Sequence, residues 1–170
     1  MALSKAVFAA ATIFAENVVG TSTALVRRDL YLAVEGFDHN IKSASDWDLW
    51  MKLALKSQVG CIKAPLTGYL MRADSMTGNR VARLKAMENI ITRYQDKVTP
   101  HAVSAAYARL DEGYGEYYRE NGKAMKALSA DIKSVLKQPE KRRIKNILID
   151  LKMLFTTQDV VSNSKLKSEN

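Results

Sequence analysis

Apolar positions along the chain follow two regimes. Up to about residue 78 they come in short clusters broken by glycines and polar turns, and from Asn79 onward they recur at helical spacing. Met1–Ala15 is apolar and Ala-rich with one lysine, Lys5. Its thin charged region and poor cleavage pattern argue for a buried or half-buried helix rather than a signal peptide. Thr21–Val26 reads as a strand, bounded by Gly20 and by Arg27-Arg28. Asp29 is placed to cap a short helix, Leu30–Glu35, which Gly36 ends in a left-handed conformation. Phe37 then turns inward and Asp38-His39-Asn40 reverse the chain.

Ser43 and Ser45 offer caps for the next helix, and Ser45 with Asp48 forms a capping-box pattern. Trp47, Trp50, Met51 and Ala54 share one face of it at i, i+3, i+4 and i+7, which predicts a docked helix with Asp46 in its first turn. Val59–Ala64 is the next strand, broken by Pro65, and Tyr69–Arg72 a further short one. Beyond them Leu84, Met87, Ile91, Tyr94 and Val98 mark a helix stopped by Pro100. Two more helices follow, Ala102–Glu120 and Lys123–Lys137. Gly115, Tyr118, Ala127 and Pro139 are spaced like one tetratricopeptide repeat, but Asp111 and Asp131 stand where that pattern wants large apolar residues. A helical hairpin is the expectation, with Tyr107, Tyr114, Tyr117 and Tyr118 as packing residues. Lys141–Phe155 is amphipathic, with Ile144, Ile147, Leu148, Leu151, Leu154 and Phe155 on its apolar face. Buried in the hairpin or lying in a membrane interface, that face has two uses.

Composition narrows this picture. The 170 residues, 47% hydrophobic and 26% charged, suit one core or a small domain with an appendage. A single cysteine, Cys61, excludes a disulfide framework within the chain. No stretch approaches the ~20 apolar residues of a membrane span. The net charge is +8. From Lys123 to Asn170 there are 11 Lys/Arg against 5 Asp/Glu, so +6 of it sits in the last 48 residues. The basic character belongs to the tail, first as a solvated helix face.

The order of elements from Gly20 to Trp50, with TSTALVRR, then Gly36-Phe37-Asp38, then Ser45-Asp46-Trp47-Asp48-Leu49-Trp50, resembles the acceptor-side half of family 2 glycosyltransferases of the GT-A fold. The resemblance covers roughly Asn17–Thr77. It implies transfer of a sugar from a nucleotide-sugar donor to the hydroxyl of a glycan or lipid-linked acceptor, with Asp46 as catalytic base. A carboxylate near that hydroxyl takes its proton as the oxygen attacks the anomeric carbon. Trp47 and Trp50 become substrate-side residues, and Arg72, standing where the family has a metal-binding histidine, becomes a phosphate contact. Tyr69 and Ser75-Met76-Thr77 match the family there, whereas Leu70 replaces its arginine. A divalent metal, Mn or Mg, accompanies such chemistry, but no ligands for it are evident. Asp46-Trp47-Asp48 matches the D-x-D metal signature in letters only, since both carboxylates open a helix.

The expectation is therefore an α+β chain, a partial GT-A (Rossmann-like) acceptor-side half at 1–78, then a helical region at 79–157 and a disordered tail at 158–170. No Gly-rich turn or strand–Asp–strand nucleotide site precedes Asn17, which points to a truncated glycosyltransferase of polysaccharide biosynthesis or to a separate chain that supplies the donor half. The expected location is cytoplasmic, at the inner face of the membrane, with peripheral contact through 141–155 and no nucleic-acid partner. The competing reading is a non-catalytic helical interaction protein that retains half an active site.

Overall fold

The computed structural model describes residues 5–8, 10–62, 64–68 and 80–168, with side chains for 10–62, 64–68 and 80–155. The chain divides into two compact units, residues 1–106 and 107–170.

The first unit begins with strand β1 (Lys5–Phe8) and helix α1 (Ala10–Glu16), so the expected N-terminal helix is half strand. β1 pairs antiparallel with β2 (Val59–Ile62), Lys5 opposite Ile62 and Phe8 opposite Val59, and Cys61 stands half-buried on β2. Helix α2 (Arg28–Ala33) has Arg27 at its N-cap and Asp29 in its first turn. Its exit runs through Glu35 and Gly36, both left-handed at φ 60 and 59. A β-carbon on Gly36 would collide with the Tyr31 ring, so glycine is required there for space as well as for φ. Phe37 is half-buried and meets Tyr31 edge to face at 6.3 Å.

Helix α3 (Ser45–Lys56) is the spine of the unit, and it buries Trp47, Leu49, Trp50, Met51 and Leu53 against the fully buried Ile13 and Phe14 of α1 and other apolar side chains. Helix α4 (Arg80–Tyr94), prolonged by a 3₁₀ turn at Gln95–Lys97, adds Leu84, Ile90, Ile91 and Tyr94 to the buried set. Of the face read from Leu84 to Val98, Leu84, Ile91 and Tyr94 are buried and Met87 is half-buried, but Val98 lies past the helix in extended backbone and Pro100 opens the next one.

The second unit takes the greater part of helix α5 (Pro100–Glu120) with α6 (Ala124–Lys137) and α7 (Lys141–Ser168). Gly122, at φ 69, turns α5 into α6. Most of the interior side chains are small: Ala108, Ala124, Ala127, Ala130 and Ser134, with Leu110 the large apolar exception.

The α+β expectation is corrected. Regular structure among the described residues is helical except for the two four-residue strands, and there is no Rossmann-like half. Thr21–Val26 has the composition of a strand, yet Thr21–Thr23 is a 3₁₀ turn. Leu25 after it is fully exposed, with no neighbouring strand to cover it. The proposed strand Tyr69–Arg72 lies outside the described residues. The segment 158–170, expected to be disordered, continues α7 as far as Ser168. The boundary expected at 78/79 stands at 106/107, because α4 is tied to α3 by the contacts described next. No helix among the described residues is long and apolar enough to cross a membrane.

Candidate functional site

The site is built on the first turn of α3. Ala44, its N-cap, sits in the left-handed region at φ 59 and makes no side-chain cap. The Ser45–Asp48 capping box is thus not formed. Asp46 follows, half-buried in the first turn, where helix amides favour an anion. Its Oδ1 accepts from the Trp47 amide at 2.8 Å and its Oδ2 from the Thr21 hydroxyl at 3.2 Å. That second bond draws the polar turn at Thr21–Thr23, the start of the family-like run, to the carboxylate.

What holds Asp46 in place is the burial of its neighbours. Trp47 is 2% exposed, and its indole N–H donates to the Ile13 carbonyl at 2.8 Å. Trp50 is 6% exposed, and its Nε1 is buried with no hydrogen-bond partner among the described residues. Both rings belong to the core beneath the site, which leaves them no face for stacking on a sugar.

Asp48 is the residue that sequence reasoning undervalued. It is fully buried, and Oδ1 accepts from the Tyr94 hydroxyl at 2.8 Å and from Arg93 Nη1 at 3.0 Å. Lys52 Nζ stands 3.2 Å from Oδ2 and also donates to the Gly36 carbonyl at 3.0 Å. Arg93 in turn reaches Asp38 Oδ2 at 2.9 Å. Hydrogen bonding from Arg93 holds the Asp38 carboxyl below its ordinary range, and the bond to Asp38 raises the Arg93 guanidinium in return. Burial, then the adjacent Asp48 carboxylate, pushes the Tyr94 hydroxyl far above its usual value, so it is a fixed donor. One buried carboxylate thereby locks α4 and the Asp38 turn to α3. No local signal reveals this, since Arg93 lies 45 residues along the chain from Asp48.

The donors present do not fit a divalent metal. Asp48 is enclosed by an arginine, a lysine and a tyrosine hydroxyl, so it cannot chelate together with Asp46. Among the described residues no group of three or more His, Cys, Asp or Glu side chains converges. Arg72 lies outside the described residues. A depression of ≈ 370 Å³ further along α3 is lined by Lys52, Lys56, Lys97, Tyr94 and Glu35 among others, but not by Asp46. Lys56 there donates to the Ala33 carbonyl at 2.7 Å.

No protein-family model matches the chain, and no curated protein or solved structure matches it either.

Proposed function

We propose that this chain serves glycosyl transfer from a nucleotide-sugar to an acceptor hydroxyl, in glycan or polysaccharide biosynthesis, with Asp46 as the general base. The observation that supports this reading is a half-exposed carboxylate at a helix N-terminus whose flanking residues are immobilised: Trp47 by the Ile13 carbonyl, Asp48 by Arg93, Tyr94 and Lys52. A general base needs this combination of access and fixed direction. In the transfer, Asp46 takes the acceptor's proton as the acceptor oxygen forms its bond to the anomeric carbon. The bond from that carbon to the nucleoside diphosphate breaks, and its electron pair leaves with the diphosphate. Thr21, through its hydroxyl on Oδ2, orients the carboxylate. The donor would bind through groups outside those described, either Arg72 or a separate chain. The reading puts the chain on the cytoplasmic side of a membrane, where nucleotide-sugars are used.

The test is incorporation of labelled sugar, from a panel of uridine and guanosine diphosphate sugars, into extracts of the source cells with the native protein removed and the purified chain restored. Asp46→Asn should reduce incorporation by ~10²–10⁴-fold with an unchanged circular dichroism melt. Incorporation within a few-fold of the parent removes Asp46 from the chemistry.

A further inference from the structure

Helix α7 turns only part of its apolar face inward, with Ile147, Leu151 and Leu154 half-buried. Arg143 and Asp150 are buried, whereas Ile144, Leu148 and Phe155 are 47%, 61% and 66% exposed. The reason lies in the interior of the second unit. Arg119 of α5 donates through Nε to Asp150 Oδ1 at 2.7 Å and through Nη2 to Asp131 of α6. Arg142 and Arg143 are drawn to Glu112 of α5. Ionic partners draw the Arg143–Asp150 edge of α7 inward, and the row Ile144, Leu148 and Phe155 remains outside.

The exposed face has a second regularity. Ile144, Leu148 and Phe155 follow the series i, i+4, i+11, and Lys141, Lys145 and Lys152 follow the same series three residues earlier. On a helix of 3.6 residues per turn this makes two parallel rows about 60° apart. All three lysines are exposed. Between Lys141 and Phe155 the one acid is Asp150, and it is fully buried. The surface of this segment therefore carries an apolar row beside a cationic row with no carboxylate of its own.

We propose that this face of α7 docks on an anionic lipid surface, the apolar row entering the headgroup–acyl boundary and the lysines extending to the phosphates. The pairing of the two rows is what an interfacial helix requires, since lysine stems lie along apolar surface while their ammonium groups reach outward. Charge complementarity selects the occupant. A second copy of the chain in a two-fold pair over this segment would bring lysine row against lysine row, with no exposed acid between Lys141 and Phe155 to relieve it. Nucleic acid would leave the apolar row in water. The inference is independent of the reading of Asp46.

The full chain should be floated with vesicles of phosphatidylcholine alone and of phosphatidylcholine with phosphatidylglycerol, at low and high salt. Binding to the anionic vesicles, weakened by salt, is expected, and little to the neutral ones. Lys141→Gln with Lys145→Gln should weaken partitioning roughly 30-fold, each lysine near an anionic surface being worth about a factor of five. Leu148→Ser should weaken it about tenfold. Both variants should melt with the parent, because the altered side chains are exposed. The proposal is overturned by absence of anionic-vesicle binding, by binding that survives both variants, or by a lowered melt of Leu148→Ser, which would make that side chain core. It is equally overturned by self-association that Leu148→Ser abolishes, or by capture on polyglutamate in preference to lipid.

Discussion

Trp47 and Trp50 are near neighbours on one helix and almost equally buried, yet their indole nitrogens differ. The first donates to Ile13, and the second has no partner among the described residues. A net hydrogen bond contributes about 1 kcal/mol, and a buried unmet donor costs a comparable amount. Trp47→Phe should therefore lower stability by about 1–2 kcal/mol more than Trp50→Phe, as read from urea midpoints at equal slope. Equal losses would mean that Trp50 has a hydrogen-bond acceptor after all. At this scale the sequence was informative about shape and poor about partners. The i, i+3, i+4 spacing marked both tryptophans as packed, and it put Asp46 in a first turn. It gave Asp48 to a capping box because capping arithmetic sees only three or four residues. A buried charge takes its partners from wherever the fold brings them, here Arg93 and Tyr94 of a later helix.

Among the elements, α5 and α6 meet closely at Gly115. A β-carbon there would strike the Asp131 carboxylate, whose Oδ1 is buried without a hydrogen bond among the described residues. Gly115→Ala should destabilise the second unit by about 1–3 kcal/mol, the usual cost of overpacking, even though alanine is the better helix former. A gain in the denaturation midpoint would show that the helices separate freely at that point. Asp131, which broke the repeat-like pattern, is the partner of Arg119 rather than a misplaced core residue. Of the two uses read for the α7 face, burial in the hairpin is met only in part, by the half-buried Ile147, Leu151 and Leu154: periodicity ranks faces by hydrophobicity, and it cannot weigh one buried guanidinium that demands two carboxylates.

For the second unit as a whole, that cluster sets a pH dependence. Burial and the neighbouring Asp150 push Asp131 up to about 7, against the opposing pull of Arg119. The folded state thus holds a proton that the unfolded chain has released by the time pH exceeds the ordinary aspartate value near 4. With the folded pKa raised, this contribution to stability is complete below about 4 and is lost as pH rises through 7. Urea midpoints of the second unit, followed by amide hydrogen exchange on α6, should fall from pH 5 to pH 8. Asp131→Asn should flatten the profile and raise its pH 8 end, and a flat profile in the parent would contradict the raised Asp131 carboxyl. None of this was legible beforehand, because two aspartates and an arginine spread over 32 residues carry no local pattern.

The exposed apolar row of α7 also bears on how stability varies with temperature. Heat-capacity change on unfolding follows the apolar area newly exposed, typically about 12–15 cal/mol/K per residue. Here the interior is largely alanine, serine and an ion cluster, with Leu110 the large apolar exception, while Met125, Leu136, Leu148 and Phe155 already face outward in the folded state. The second unit accordingly has less apolar area left to expose. Its heat-capacity increment should fall below that range, and its stability curve should be shallow, changing little on cooling where an oil-filled domain would weaken.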